Sequence, residues 1–141
     1  MRRDPASVGL LLLRLGTGAL LLFAHGWPKL LHFQERLTNF ADPIGMGPQV
    51  SFVLVVFAEV VCSILVMLGF LTRLAIVPLL IFFMVAAFVQ HLPDPFGRKE
   101  LPLLYAVSYL TILITGPGRY SLDSRLGIRI GQPGRRVKTG R

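Results

Sequence analysis

The sequence predicts an all-α integral membrane protein: an antiparallel four-helix bundle with N and C termini in the cytoplasm. Three observations carry that fold class. Hydrophobic residues make up 53% of the 141 positions and charge is scarce between residues 8 and 92, which leaves too little polar surface for a soluble domain of this size. Four apolar segments, about 7–27, 49–71, 74–92 and 101–115, approach the ~20 residues that a helix needs to cross a bilayer. Lysine and arginine divide unevenly between the two sides that such spans define, and cytoplasmic flanks collect positive charge.

Each element has its own reason. Arg2 and Arg3 precede the first segment as in a secretory signal, but Arg14 interrupts the apolar stretch and no small-x-small cleavage site follows. It therefore reads as a retained helix, which Pro28 ends or kinks. Over residues 29–40, Leu30, Phe33, Leu37 and Phe40 recur at helical spacing opposite Lys29, Gln34, Glu35 and Arg36. That pattern fits a short helix in the outer membrane interface or, equally, a loop packed over the bundle.

The turn from Gly69 to Arg73 is so short that the second and third helices must be antiparallel neighbours. Pro78 bends the third helix, and Pro93-Asp94-Pro95 holds the next connection extended, gathering His91, Asp94, Arg98, Lys99 and Glu100 at the outer surface. Pro102 suits the first turn of the fourth helix, which Gly116-Pro117-Gly118 stops. A four-helix domain over 1–123 is thus followed by a basic tail, 124–141. One side holds ten cations, Arg2, Arg3, Arg73, Arg119, Arg125, Arg129, Arg135, Arg136, Lys138 and Arg141; the other holds four, Lys29, Arg36, Arg98 and Lys99. The tail reads as a topology signal on anionic lipid, and no nucleic-acid motif accompanies it.

Chemistry is sought among the polar residues inside the spans. Glu59 lies mid-way along the apolar run from Val50 to Leu71, where a carboxylate costs about 2.5–3.5 kcal/mol to insert. Arg14 and His25 share one face of the first helix, since eleven steps of 100° return to within about 20° of the start, with Gly18 between them. Arg14 is the expected partner of Glu59; the alternatives are an arginine that snorkels to the headgroups and a glutamate that is protonated.

His25 and His91 approach the outer leaflet from two helices, with His32 farther out. No metal site is expected, because no His-x-x-His or acidic cluster accompanies them. Ser108, Thr111 and Thr115 form a hydroxyl stripe, with Tyr105 one turn earlier, whose expected role is interhelical or own-backbone hydrogen bonding. Cys62 is the single cysteine, so dithiol chemistry within this chain is excluded.

The stretches LLLRLGTGALLLFAHGWPKL from Leu11, AEVVCSILVMLGFLTRLA from Ala58 and GPGRYSLD from Gly116 resemble the DoxX family of small four-helix membrane proteins. The family's helix-one arginine and His-Gly pair match Arg14, His25 and Gly26, its helix-two glutamate Glu59, and its histidine ending helix three His91. Its turn matches Gly69, Thr72 and Arg73, and Gly116, Pro117, Gly118, Arg119 and Tyr120 complete the structural motif. Cys62-Ser63 stands where relatives often carry glycines.

The resemblance implies an accessory subunit of a quinone-linked redox complex in the bacterial inner (plasma) membrane, of the quinol oxidase or thiosulfate:quinone oxidoreductase kind. Arg14, His25, Glu59 and His91 would line a polar cavity for quinone or lipid. No cofactor is expected to be carried by the chain itself, so electrons must come from a membrane or peripheral redox subunit; a homo-oligomer is a further possible assembly. Two other readings stand beside it: a non-catalytic scaffold that recruits a partner through the interfacial segment or the tail, and a proton-coupled transporter using Glu59.

Overall fold

A computed structural model describes residues 4–128 and 130. Most of the basic tail (129 and 131–141), with Arg2 and Arg3, lies outside the described residues. The described chain is helical with no strand. Its long helices are α1 (Pro5–Leu31), α3 (Pro48–Leu68) and α4 (Thr72–Gln90), each long and apolar enough to cross a membrane, and α5 (Phe96–Thr115), which opens on the charged run Arg98-Lys99-Glu100. Two short helices, α2 (Phe33–Arg36) and α6 (Leu122–Leu126), lie in the connections.

The first helix departs from expectation, since it runs through Pro28 to Leu31 instead of stopping there. The turn Leu22–Gly26 is π-helical and the Trp27 N–H reaches back to the Leu22 carbonyl. A widened turn moves aside the carbonyl that a proline ring would strike. Lys29 consequently belongs to α1, and the segment 29–40, read equally as an interfacial helix or a loop, holds beyond α1 the single helical turn α2.

Helix α5 differs too: it begins at Phe96, behind the extended Pro95. Pro102 therefore sits inside the helix and not in its first turn.

Helix α3 ends at Leu68 because Gly69 adopts a left-handed φ of 69°. The Gly69 and Phe70 N–H groups bond back to Val66 and Leu65 carbonyls at 3.1 and 2.9 Å, a Schellman termination. Leu71 is also left-handed, with φ 46°, a conformation a branched residue adopts only when its surroundings hold it. Asp123 does so from the far end of the chain, accepting from the Leu71 and Thr72 N–H groups at 2.7 and 2.9 Å while its own N–H donates to the Gly69 carbonyl at 2.8 Å.

The Arg119 N–H donates to Ser7 Oγ at 3.3 Å. The start of α1 and the segment after α5 thus share one end of the bundle.

Polarity runs inside out. Arg14 and Glu59 are buried at 0% and 1% exposure, whereas Leu12, Phe23, Ile81, Val107 and Ile114 are exposed on the outside, the distribution expected where lipid is the solvent. The core joins Leu21 of α1, Ala58, Cys62 and Val66 of α3, Ile76, Leu79 and Phe83 of α4, and Tyr105, Tyr109 and Ile112 of α5. Lipid gives no hydrophobic drive for helix association, so close contact between small residues must supply it. A Cβ on Gly26 would lie 2.8 Å from the Glu59 carbonyl oxygen, and one on Gly18 would strike the Met67 side chain and lie 3.2 Å from the Ser63 carbonyl oxygen.

Gly26→Ala is expected to destabilise the bundle by about 1–3 kcal/mol, because a backbone carbonyl cannot turn away as a side chain can. Gly9→Ala, where the added methyl meets nothing within 4 Å, is expected to stabilise by about 0.5–1 kcal/mol. Thermal unfolding in detergent, followed by helical circular dichroism, compares the two.

Candidate functional site

A cavity of about 270 Å³ opens between α1, α3, α4 and α5, with His25, Lys29, Glu59, Gln90, His91 and Tyr105 among its walls. Three interruptions of the α-helical ladder meet at it. His25 lies within the π-helical turn Leu22–Gly26, Glu59 within a second at Phe57–Cys62, and His91 directly follows a third, Ala86–Gln90, with its N–H bonded to the Ala86 carbonyl at 3.0 Å. Such turns re-aim side chains and recur at functional sites.

Glu59 is paired, but not with Arg14. Lys29 Nζ lies 2.6 Å from Glu59 Oε2, with side-chain exposures of 14% and 2%. The expected Arg14–Glu59 pair is therefore corrected, and the reason is the unbroken α1: one turn beyond His25, Lys29 faces the cavity instead of the outer surface. Because both groups have left water, removing either partner of such a pair costs about 3–5 kcal/mol.

Arg14 is at the other end of the bundle, fifteen residues or roughly 22 Å back along the helix at 1.5 Å per residue. It does not snorkel either. Its side chain is fully buried, and Nη2 donates to the Tyr120 carbonyl at 2.7 Å. A Cβ on Gly69 would collide with its guanidinium, and the Asp123 carboxylate attracts it. Gly69, Tyr120 and Asp123 thus surround Arg14.

His91 joins the cavity to the surface. Its Nδ1 lies 2.7 Å from Asp94 Oδ2, and Arg98 Nη1 lies 3.8 Å from the same oxygen. The hydrogen bond with His91 is the main cause holding the Asp94 carboxyl below the ordinary carboxylate range, with help from Arg98, His91 and Lys99 charge. Its contribution to folding is therefore present at neutral pH and is lost as the pH falls through that lowered value. Among the described residues His32 pairs with Glu35, both exposed, and is not in the lining of this cavity.

On the opposite wall Tyr105 is buried and stacks on Phe83, with ring centroids 4.9 Å apart and planes 7° from parallel. Its neighbours in the hydroxyl stripe face elsewhere. Ser108, Thr111 and Thr115 each donate to the carbonyl four residues back, at 2.8, 2.8 and 2.7 Å.

Of the residues expected to line one cavity, His25, Glu59 and His91 meet and Arg14 stands apart. Lys29, Tyr105 and Gln90 were missed. For Lys29 a signal existed: it follows His25 by four residues, on the same helical face, once Pro28 is allowed inside the helix.

Helix lengths, an apolar exterior and a buried ion pair define an α-helical integral membrane protein with a polar site in its interior. The chain belongs to the DoxX family, whose sequence profile matches residues 9–92, a stretch that includes Arg14, His25, Lys29, Glu59 and His91. It is 31% identical, over 75% of its own length and 91% of the relative's, to the uncharacterized membrane protein Rv3486 of Mycobacterium tuberculosis. To the inner membrane protein YphA of Escherichia coli it is 30% identical, over 75% of this chain and 82% of that one. No solved structure matches it.

Lys29→Met is expected to destabilise the protein by about 3–5 kcal/mol, because it strands a buried carboxylate. The double variant Lys29→Met/Glu59→Gln is expected to recover at least half of that loss. Unfolding midpoints in detergent for the two single variants and the pair provide the comparison, and strictly additive losses would mean that the two side chains do not interact.

Proposed function

We propose that this protein is an accessory, quinone-interacting subunit of a redox complex in the bacterial plasma membrane, with both chain ends facing the cytoplasm. The observation that carries the reading is the convergence of Lys29, Glu59, His25 and His91 on one cavity inside an otherwise apolar bundle. A quinone, when bound, supplies two-electron, two-proton chemistry and presents ring carbonyls as hydrogen-bond acceptors.

The donor set fits such a ring. Lys29 Nζ has three protons and Glu59 Oε2 engages one, leaving donors that can turn into the cavity. His25 can donate or accept according to its tautomer. The Tyr105–Phe83 stack gives the cavity an aromatic wall, against which a planar ring packs offset.

Proton movement can be assigned to the chain's own groups. Glu59 is the carboxylate that can take or give a proton within the membrane, with its charge balanced by Lys29. His91, held by Asp94 at the outer surface, can relay protons between the cavity and water. Electrons must come from a partner subunit. Arg14 has no part in this chemistry and serves to fix the segment after α5.

Protein purified from native membranes into nanodiscs, then extracted with organic solvent, is expected to release quinone. His25→Ala and Glu59→Gln are expected to lose it while keeping the wild-type helical content. Undiminished quinone-linked turnover by the intact complex carrying either substitution would rule the reading out.

A further inference from the structure

The polar cavity has an apolar neighbour. Between α3 and α4 lies a groove of about 340 Å³, walled by Leu54, Phe57, Pro78, Ile81 and Val85 and closed at one end by Ile44 and Met46 of the loop after α2. The two spaces share a wall, since Phe40, Val55, Phe82, Ala86 and Gln90 line both. The groove opens sideways, onto the surface that lipid covers. Ile81 is 60% exposed, Leu54 48% and Phe57 44%.

The loop that closes it is pinned. The Asp42 carboxylate accepts from the Met46 and Gly47 N–H groups at 3.0 and 2.7 Å and from Ser51 Oγ at 2.7 Å. The Ser51 hydrogen bond is the chief cause holding Asp42 below the usual carboxylate range. Ile44 and Met46 are thus held over the groove by a charged anchor that stays ionised at neutral pH.

We infer that cavity and groove are one site for an amphipathic ligand dissolved in the membrane, its oxygen-bearing ring beside Lys29 and Glu59 and its hydrocarbon tail lying in the α3–α4 groove. This rests on the quinone reading and adds the seat of the tail and the sideways route of entry. Size favours it: the polar cavity alone falls short of the ~300–1,000 Å³ usual for sites of drug-sized molecules, and only with the groove does the site enter that range. Polarity favours it as well, because a ligand filling both spaces must be polar at one end and apolar at the other.

Bilayer lipid already solvates a hydrocarbon tail, so the groove adds little affinity. What it adds is orientation. The tail occupies the groove only while the ring is anchored, whereas an ordinary lipid chain would lie there regardless of the ring.

The test uses the full chain in nanodiscs and a benzoquinone bearing a decyl tail with a photoreactive diazirine at mid-chain, followed by peptide mapping. Labelling is expected on Leu54, Ile81 or Val85, suppressed by excess unlabelled decyl-benzoquinone and lost in Glu59→Gln and in His25→Ala. Competable labelling on Val107 and Ile114, the lipid-facing side of α5, would overturn the groove assignment and leave quinone binding standing. Groove labelling that excess competitor fails to reduce would identify a seat for bulk lipid only and also overturn it. The absence of competable labelling anywhere would remove both the groove assignment and the quinone reading.

Discussion

The structure depends on one ion pair inside an otherwise apolar bundle. Glu59 stands in the middle of α3, and hydrocarbon offers a carboxylate nothing. Lys29 answers it at 2.6 Å. For the ammonium to arrive, α1 must continue past Pro28, its turn at Leu22–Gly26 must widen, and Gly26 must be bare enough to rest on the Glu59 carbonyl. Backbone irregularity, small residue and charge pair are therefore one arrangement. The same widening turns His25 toward the space that the pair leaves open.

A second buried cation fixes the opposite end. Arg14 has no exposed surface, and it ties the segment after α5 to the α3–α4 turn through the Tyr120 carbonyl and the neighbourhood of Asp123. Asp123 in turn holds the left-handed Leu71. Lipid supplies little force to bring helices together, so each end of the bundle is secured by polar contacts that would be far weaker in water. The end that holds Lys29 and Glu59 also brings His25 and His91 to one cavity, whereas Arg14 and Asp123 are engaged with backbone groups.

Much of this is legible in the residues themselves. The apolar segments gave the membrane class, Glu59 marked the polar interior, and the eleven-residue spacing put Arg14 and His25 on one face. The partner of Glu59 could not be read in the same way, because Pro28 looked like a helix end and a π-helical turn leaves no periodic trace in sequence. Helical angle also says nothing of depth. Arg14 and Lys29 are fifteen residues apart on one helix, and only packing against α3 decides which of them reaches Glu59. Asp123 was hidden for a different reason: it caps backbone groups about fifty residues away, and no local pattern announces a cap supplied at that distance.

The most direct test is solid-state magnetic resonance on protein in lipid, with isotope labels on lysine side-chain nitrogen and glutamate side-chain carbon. A dipolar contact between Lys29 Nζ and the Glu59 carboxyl carbon, with the chemical shift of an ionised carboxylate and loss of the signal in Lys29→Met, is the result the ion pair requires. A protonated Glu59 carboxyl with no lysine nitrogen in reach, or one in contact with the Arg14 guanidinium, would contradict it.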